Sequence, residues 1–196
     1  MNRSFIAMLG AASLCVLGQS AQGARHTFAT SLTALAEGVV SPGTGSAVVK
    51  YDGDVRTLTV SIVFADLVAG TTVAHIHAPT AEPNTGNVGV ATYPVTFPGF
   101  PVGLTEGAYN GTWDLSDPAS YTAAFYGNHG STPETAEAGL LAAMFAGKAY
   151  VNIHTTTFPG GEIRGYLASV PDHSPMVLLF APALAAVVGV RRWMQR

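Results

Sequence analysis

The chain has 196 residues, 48% of them hydrophobic and only 11% charged, with a formal net charge of −3. That length suits one domain with targeting segments, and that apolar fraction is enough for a packed core. No basic run precedes the C-terminal arginines, so the electrostatic footprint of a nucleic-acid binder is missing, and the single cysteine, Cys15, falls in the N-terminal apolar segment, which leaves the remainder without a disulfide or thiolate site.

Asn2 and Arg3 precede an apolar run over residues 5–17, followed by small and polar residues through Gly23. This is the order of a secretory signal peptide, with Ala21 and Gly23 placed for cleavage by signal peptidase after residue 23. A lipoprotein signal would use Cys15, but the bulky Leu14 before it fits that signal poorly.

Residues 24–169 alternate with a period of two. Leu58, Val60, Ile62 and Phe64 fall on one face and Thr57, Thr59 and Ser61 on the other, the pattern of a half-buried strand. Residues 28–32 open the set, and Asp52-Gly53 predicts a two-residue hairpin joining 47–51 to 55–64. Further strands are expected at 72–78, 88–95, 109–115, 149–155 and 162–167. About eight short strands with Gly/Pro-rich turns point to an all-β, Greek-key-like antiparallel β-sandwich. One helix interrupts them near 132–146: Ser131 and Glu134 form a capping box, Pro133 suits the first turn, and Gly147 suits the end. Its buried stripe would be Leu140, Leu141, Met144 and Phe145, laid across the sandwich or plugging one end. Residues 169–175 read as a linker.

Three of the six histidines sit in strand-like settings. His75 and His77 share one face of their strand while Ala74, Ile76 and Ala78 take the other, and His154 alternates with Val151 and Ile153. Two ligands at i and i+2 with a third from another strand make a geometry that zinc and copper sites use. The competing reading is a polar face that orders a loop through imidazole-to-backbone hydrogen bonds. If the turn after 154 centres near Phe158, Asn152 faces Arg164, Ile153 faces Ile163, and His154 faces Glu162, which would orient His154 or pair with Arg164. Gly160-Gly161 serve that turn, since no helix follows to make a phosphate site. His26 and His129 stand alone and are expected in solvent. Trp113, with Tyr109 and Leu115, reads as core. No Gly-x-Ser-x-Gly or comparable nucleophile context occurs.

After Val170-Pro171-Asp172-His173-Ser174 comes an apolar stretch, 176–190, and then Arg191-Arg192. The stretch is short for a bilayer crossing, which takes about 20 residues, and the arginines would keep that end cytoplasmic. The layout resembles the bacterial PEP-CTERM sorting signals in their Val-Pro-Asp variant. The resemblance implies removal of 170–196 by an exosortase-type enzyme; the alternative is a plain C-terminal membrane anchor. In both cases the domain lies outside the cytoplasm, and the membrane is touched only through the tail.

Several segments together resemble the CHRD domain, the module first named from chordin: Ala36-Glu37-Gly38-Val39-Val40 with Pro42 and Gly43-Thr44-Gly45, the Asp52-Gly53 hairpin, Ala74-His75-Ile76-His77-Ala78-Pro79, Gly111-Thr112-Trp113, and 147–167 with its Gly-Glu-Ile-Arg-Gly run. The resemblance covers 26–168, with 97–105 and 121–130 reading as local insertions, and departs from the family at Tyr166, where many members carry glutamine. The two targeting ends, the low charge and the missing nucleophile favour an exported surface or matrix module of unknown ligand, binding an extracellular protein or a polysaccharide or packing structurally, over an enzyme. In chordin such domains belong to an extracellular protein that binds a growth-factor ligand. An immunoglobulin-like layout or that of copper/zinc superoxide dismutase, which also has a His-x-His strand, fits the strand count, but fold does not fix function. The alternative function is copper or zinc binding at His75, His77 and His154, with dismutase-like redox activity a weaker possibility that needs the metal first.

Overall fold

The fold was analysed in a computed structural model, which describes residues 24–92 and 96–171. The alternating segments form eight strands: β1 (Arg25–Thr33), β2 (Thr44–Asp52), β3 (Thr57–Ala65), β4 (Thr71–His77), β5 (Gly107–Asp114), β6 (Tyr150–Thr155), β7 (Ile163–Tyr166) and β8 (Ala168–Val170). They pair antiparallel in the order β4-β6-β7-β1-β2-β3-β5, with β8 beside β1. The all-β, sandwich-like class expected from the pattern holds.

This sheet curls on itself. β1 pairs with β2 along its full length, but with β7 only at Thr33 and Arg164. The bend there divides the sheet into a β4-β6-β7 leaf and a β1-β2-β3-β5 leaf. Side chains from both fill the space between: Phe28, Leu32, Val49, Leu58, Val60, Ile62 and Phe64 from one, Ile76, Val151, Ile153 and Ile163 from the other. Phe97 enters from the segment before β5, its ring 5.7 Å from Tyr109 and 5.0 Å from Trp113, so these aromatics are core as expected.

β6 is buried at every position. Val151 and Ile153 face the core, while Tyr150, Asn152 and His154 alternate with them toward the opposite side. A strand with two buried faces needs a second cover. Here the connections around 86–90 and 158–160 supply it, together with the short helix α1 (Ala34–Glu37).

Several boundaries differ from expectation. The β2–β3 turn has four residues, 53–56, because Asp52 accepts the amide N–H of Asp54 and pairs with Arg25, and Arg56 takes the left-handed region at φ 53°. No strand forms over 88–92; Val90 and Thr92 make isolated bridges, and the 93–95 part of the expected strand lies outside the described residues. Hydroxyls replace a ladder along that edge of β4: Thr92 accepts from the Ile76 amide and Thr96 from the Ala74 amide. β8 pairs with residues 27–29 where a linker was expected.

The expected helix is α3 (Pro133–Phe145), capped by Thr132 rather than Ser131, whose φ of 57° takes it out of line; Glu134 reaches Arg56 instead of closing a box. Leu140 and Met144 are fully buried and Leu141 partly, but Phe145 is half exposed, lying edge-on to Phe28 and His26. A second helix, α2 (Ala123–Asn128), occupies the stretch read as an insertion. No helix among the described residues is long and apolar enough to cross a membrane. The signal segment 1–23 with Cys15, and the tail from 172 with its apolar stretch 176–190, lie outside the described residues.

Candidate metal centre

Register brings the three histidines together. His75 and His77 project from one face of β4, and antiparallel β6 sets Asn152 opposite His75, Tyr150 opposite His77, and His154 opposite Val73. His154 is therefore the diagonal neighbour of His75, within reach of long side chains. Their Nε2 atoms are 2.9 Å apart. The ring centres of His75 and His77, and of His75 and His154, are each 4.7 Å apart, and one nitrogen from each of the three rings lies within 4.8 Å of the others. All three are buried.

Hydrogen bonding fixes two of the tautomers. His77 Nδ1 is 2.7 Å from the Val88 carbonyl oxygen, and His154 Nδ1 is 2.8 Å from that of Pro159. A carbonyl only accepts, so both Nδ1 atoms carry the proton and both Nε2 atoms keep a lone pair. Metal-ligating histidines are oriented in the same manner, through the nitrogen that does not bind the ion. In the 2.9 Å contact His154 Nε2 is thus the acceptor and His75 Nε2 the donor. His77 Nε2 is buried with no hydrogen-bond partner among the described residues, an arrangement that needs an explanation.

Burial favours the neutral form of His77 and His154. Burial pushes His77 down to about 4, with His154 and the Arg164 guanidinium adding to the effect. Burial also lowers His154. A neutral imidazole is the form that coordinates metals. Donors of this kind suit zinc and copper, while calcium and magnesium require oxygen ligands.

Around the triad stands a second layer that the sequence reading assigned differently. Glu162 does not reach His154 or Arg164. Its Oε1 accepts from Ser41 Oγ at 2.6 Å and the Val68 amide at 2.8 Å, and its Oε2 from Thr155 Oγ1 at 2.7 Å. The Pro159 carbonyl orients His154 in its place. Arg164 pairs with Glu37 of α1 at 3.2 Å, bonds the Ala36 and Gly86 carbonyls and the Asn87 side chain, and lies 5.0 Å above the Tyr150 ring. Tyr150 in turn stacks on His77, with ring centres 4.6 Å apart and planes 6° from parallel. The expected register of the β6–β7 hairpin holds, with Asn152 opposite Arg164 and Ile153 opposite Ile163. The Val88 and Pro159 carbonyls went unseen because a backbone acceptor has no residue type to betray it.

Two other histidines differ from expectation. His26 lies against the Phe145 edge, and His129 stacks on Phe125 at 4.0 Å while its Nδ1 bonds the Phe125 carbonyl, so neither is freely solvated. Neither belongs to the triad. Among known families, the CHRD domain model matches residues 28–167 of this chain. Neither a curated protein nor a solved structure matches it.

Proposed function

The chain belongs to the CHRD domain family, and from that premise we propose that it is an exported, non-catalytic module that holds one copper or zinc ion between His75, His77 and His154. One observation carries this reading: three buried imidazoles converge, two of them with Nδ1 tied to backbone carbonyls and Nε2 left with its lone pair. Pre-oriented neutral nitrogens lower the ordering cost of coordination. The partly overlapping alternative is a metal-free structural role, favoured by the same two imidazole-to-carbonyl bonds, which tether residues 88 and 159 to the sheet.

Export rests on the N-terminal segment 1–23 and on the family's occurrence in extracellular proteins. In this reading signal peptidase and an exosortase-type enzyme process the two ends, and the domain meets an extracellular protein or polysaccharide. Mass spectrometry of the mature protein tests the termini: a chain that retains residues 1–23 would refute export by that signal.

Metal binding is tested on metal-free full-length protein titrated with copper(II) and zinc(II), followed by elemental analysis after desalting. One equivalent of metal is expected for the wild type, and at least a tenfold weaker affinity for His77→Ala and His154→Ala. Near-ultraviolet circular dichroism checks that the variants keep their packing. Equal metal content in wild type and folded variants would leave the structural reading in possession.

A further inference from the structure

The spacing within the triad distinguishes between the two metals. Metal–nitrogen bonds to histidine are about 2.0 Å, so two ligands at a tetrahedral angle stand about 3.3 Å apart and two at a right angle about 2.8–2.9 Å. His75 Nε2 and His154 Nε2 are 2.9 Å apart. These rings hang from adjacent strands paired over six residue pairs, and His154 is also held through Nδ1 to Pro159. A pair of nitrogens at right-angle spacing is therefore already in place; His75 Nε2, which donates to His154 in the metal-free protein, presents a lone pair to an ion once that ring shifts to its Nδ1-protonated tautomer. The third nitrogen lies within 4.8 Å of the others, against about 4 Å for ligands on opposite corners of a square plane and about 2.8–2.9 Å for neighbouring corners, so His77 needs to approach its opposite ligand by no more than about 0.8 Å and its neighbouring one by no more than about 2 Å. Its Nε2 is buried without a hydrogen-bond partner among the described residues, so closing on an ion gives that atom a partner at no cost in hydrogen bonds to them.

Tetragonal nitrogen sites are the preference of copper(II), whereas zinc in a structural site is tetrahedral. We propose that the ion is copper(II), bound by His75 and His154 as neighbouring corners of a square plane with His77 completing a T-shaped set. This rests on the metal-binding reading above. The buried carboxylates Glu162 and Glu37 are committed elsewhere, Glu162 to Ser41, Val68 and Thr155, and Glu37 to Arg164. A donor set of three imidazoles leaves the bound ion its charge and at least one corner of the plane open to a small ligand.

The test is electron paramagnetic resonance of the full-length protein loaded with one equivalent of copper(II), paired with retention of each metal from an equimolar copper–zinc mixture. The expected result is an axial copper spectrum with hyperfine structure from three nitrogens, and at least tenfold more copper than zinc retained. His26→Ala, outside the triad, should leave both unchanged, and His75→Ala should remove one nitrogen from the pattern. Retention of zinc in preference to copper, or a spectrum of tetrahedrally distorted copper, would overturn the copper assignment while leaving metal binding standing. Retention of neither metal would overturn both.

Discussion

Glu162 and Ser41 are 121 residues apart in sequence, yet their side chains meet at 2.6 Å, the carboxylate accepting from the hydroxyl. The same carboxylate takes the Val68 amide and the Thr155 hydroxyl and is completely buried. One side chain therefore sews the β1–β2 connection, the β3–β4 connection and the β6–β7 turn together. Glu162→Gln presents an amide NH2 where an acceptor is required, so at least one buried donor loses its partner. The expected cost is about 1–3 kcal/mol in urea unfolding. Because the turn carries the Pro159 carbonyl behind His154, metal affinity should fall as well. An unchanged unfolding midpoint would show that the three donors find other acceptors.

Gly165 stands where β7 passes β1. A Cβ there would lie 2.2 Å from the Ser31 carbonyl oxygen and 2.4 Å from the Thr30 hydroxyl. Backbone cannot yield as a flexible side-chain tip can, so Gly165→Ala pries the leaves apart at their junction and should destabilise by about 3 kcal/mol. Gly160, with nothing within 4 Å of its ideal Cβ, is the control: Gly160→Ala should change stability by less than about 0.5 kcal/mol. Equal thermal shifts for the two variants would contradict the close-approach account.

What could be read from sequence follows from which interactions are local. The period-two pattern of Leu58, Val60, Ile62 and Phe64 reflects a one-sided burial that any strand must satisfy, so β3 was legible to within two residues. The pairing of Asn152 with Arg164 was legible because a slip of one residue would have turned Ile153 and Ile163 to the wrong face. His75, His77 and His154 could be named as a group, but not placed together, since the β4–β6 pairing joins segments about 80 residues apart and no turn sets its register. Glu162 was misread for a related reason: its partners at 41 and 68 lie far away in sequence, whereas His154 was the nearby candidate. The β2–β3 turn went wrong because the Asp52 carboxylate is committed to Arg25 and to the Asp54 amide, which favours a longer loop than Asp-Gly alone implies.

Arg164 and Glu37 form an ion pair that is about nine-tenths buried on both sides. Burial raises the Glu37 carboxyl and the Arg164 charge pulls it back down. Removing the cation alone leaves an uncompensated buried carboxylate, so Arg164→Met should cost about 3–5 kcal/mol, and adding Glu37→Gln should recover part of it. A double-mutant cycle by chemical denaturation reads the coupling directly. Purely additive losses would mean that Arg164 acts through its carbonyl bonds to Ala36 and Gly86 and not through the pair.

The buried histidines give the metal-free protein a defined dependence on pH. In the unfolded chain His77 titrates near 6.5, whereas in the fold burial holds it down to about 4. Between those values the unfolded state binds more protons, so stability is lost as pH falls through that window and is level above it. His77 alone contributes on the order of 3 kcal/mol to this loss, and His154, lowered by the same cause, adds in the same direction. Glu37, raised by burial, works the opposite way, while Asp52, Asp114 and Glu134, lowered by their hydrogen bonds, lose their contribution only at more acidic values. The His77 share is therefore read as a difference between wild type and His77→Gln, both unfolded in urea from pH 7.5 to 4.5. The variant's stability should fall less steeply across that range, and parallel curves for the two proteins would mean that His77 is protonated as readily inside the fold as outside it.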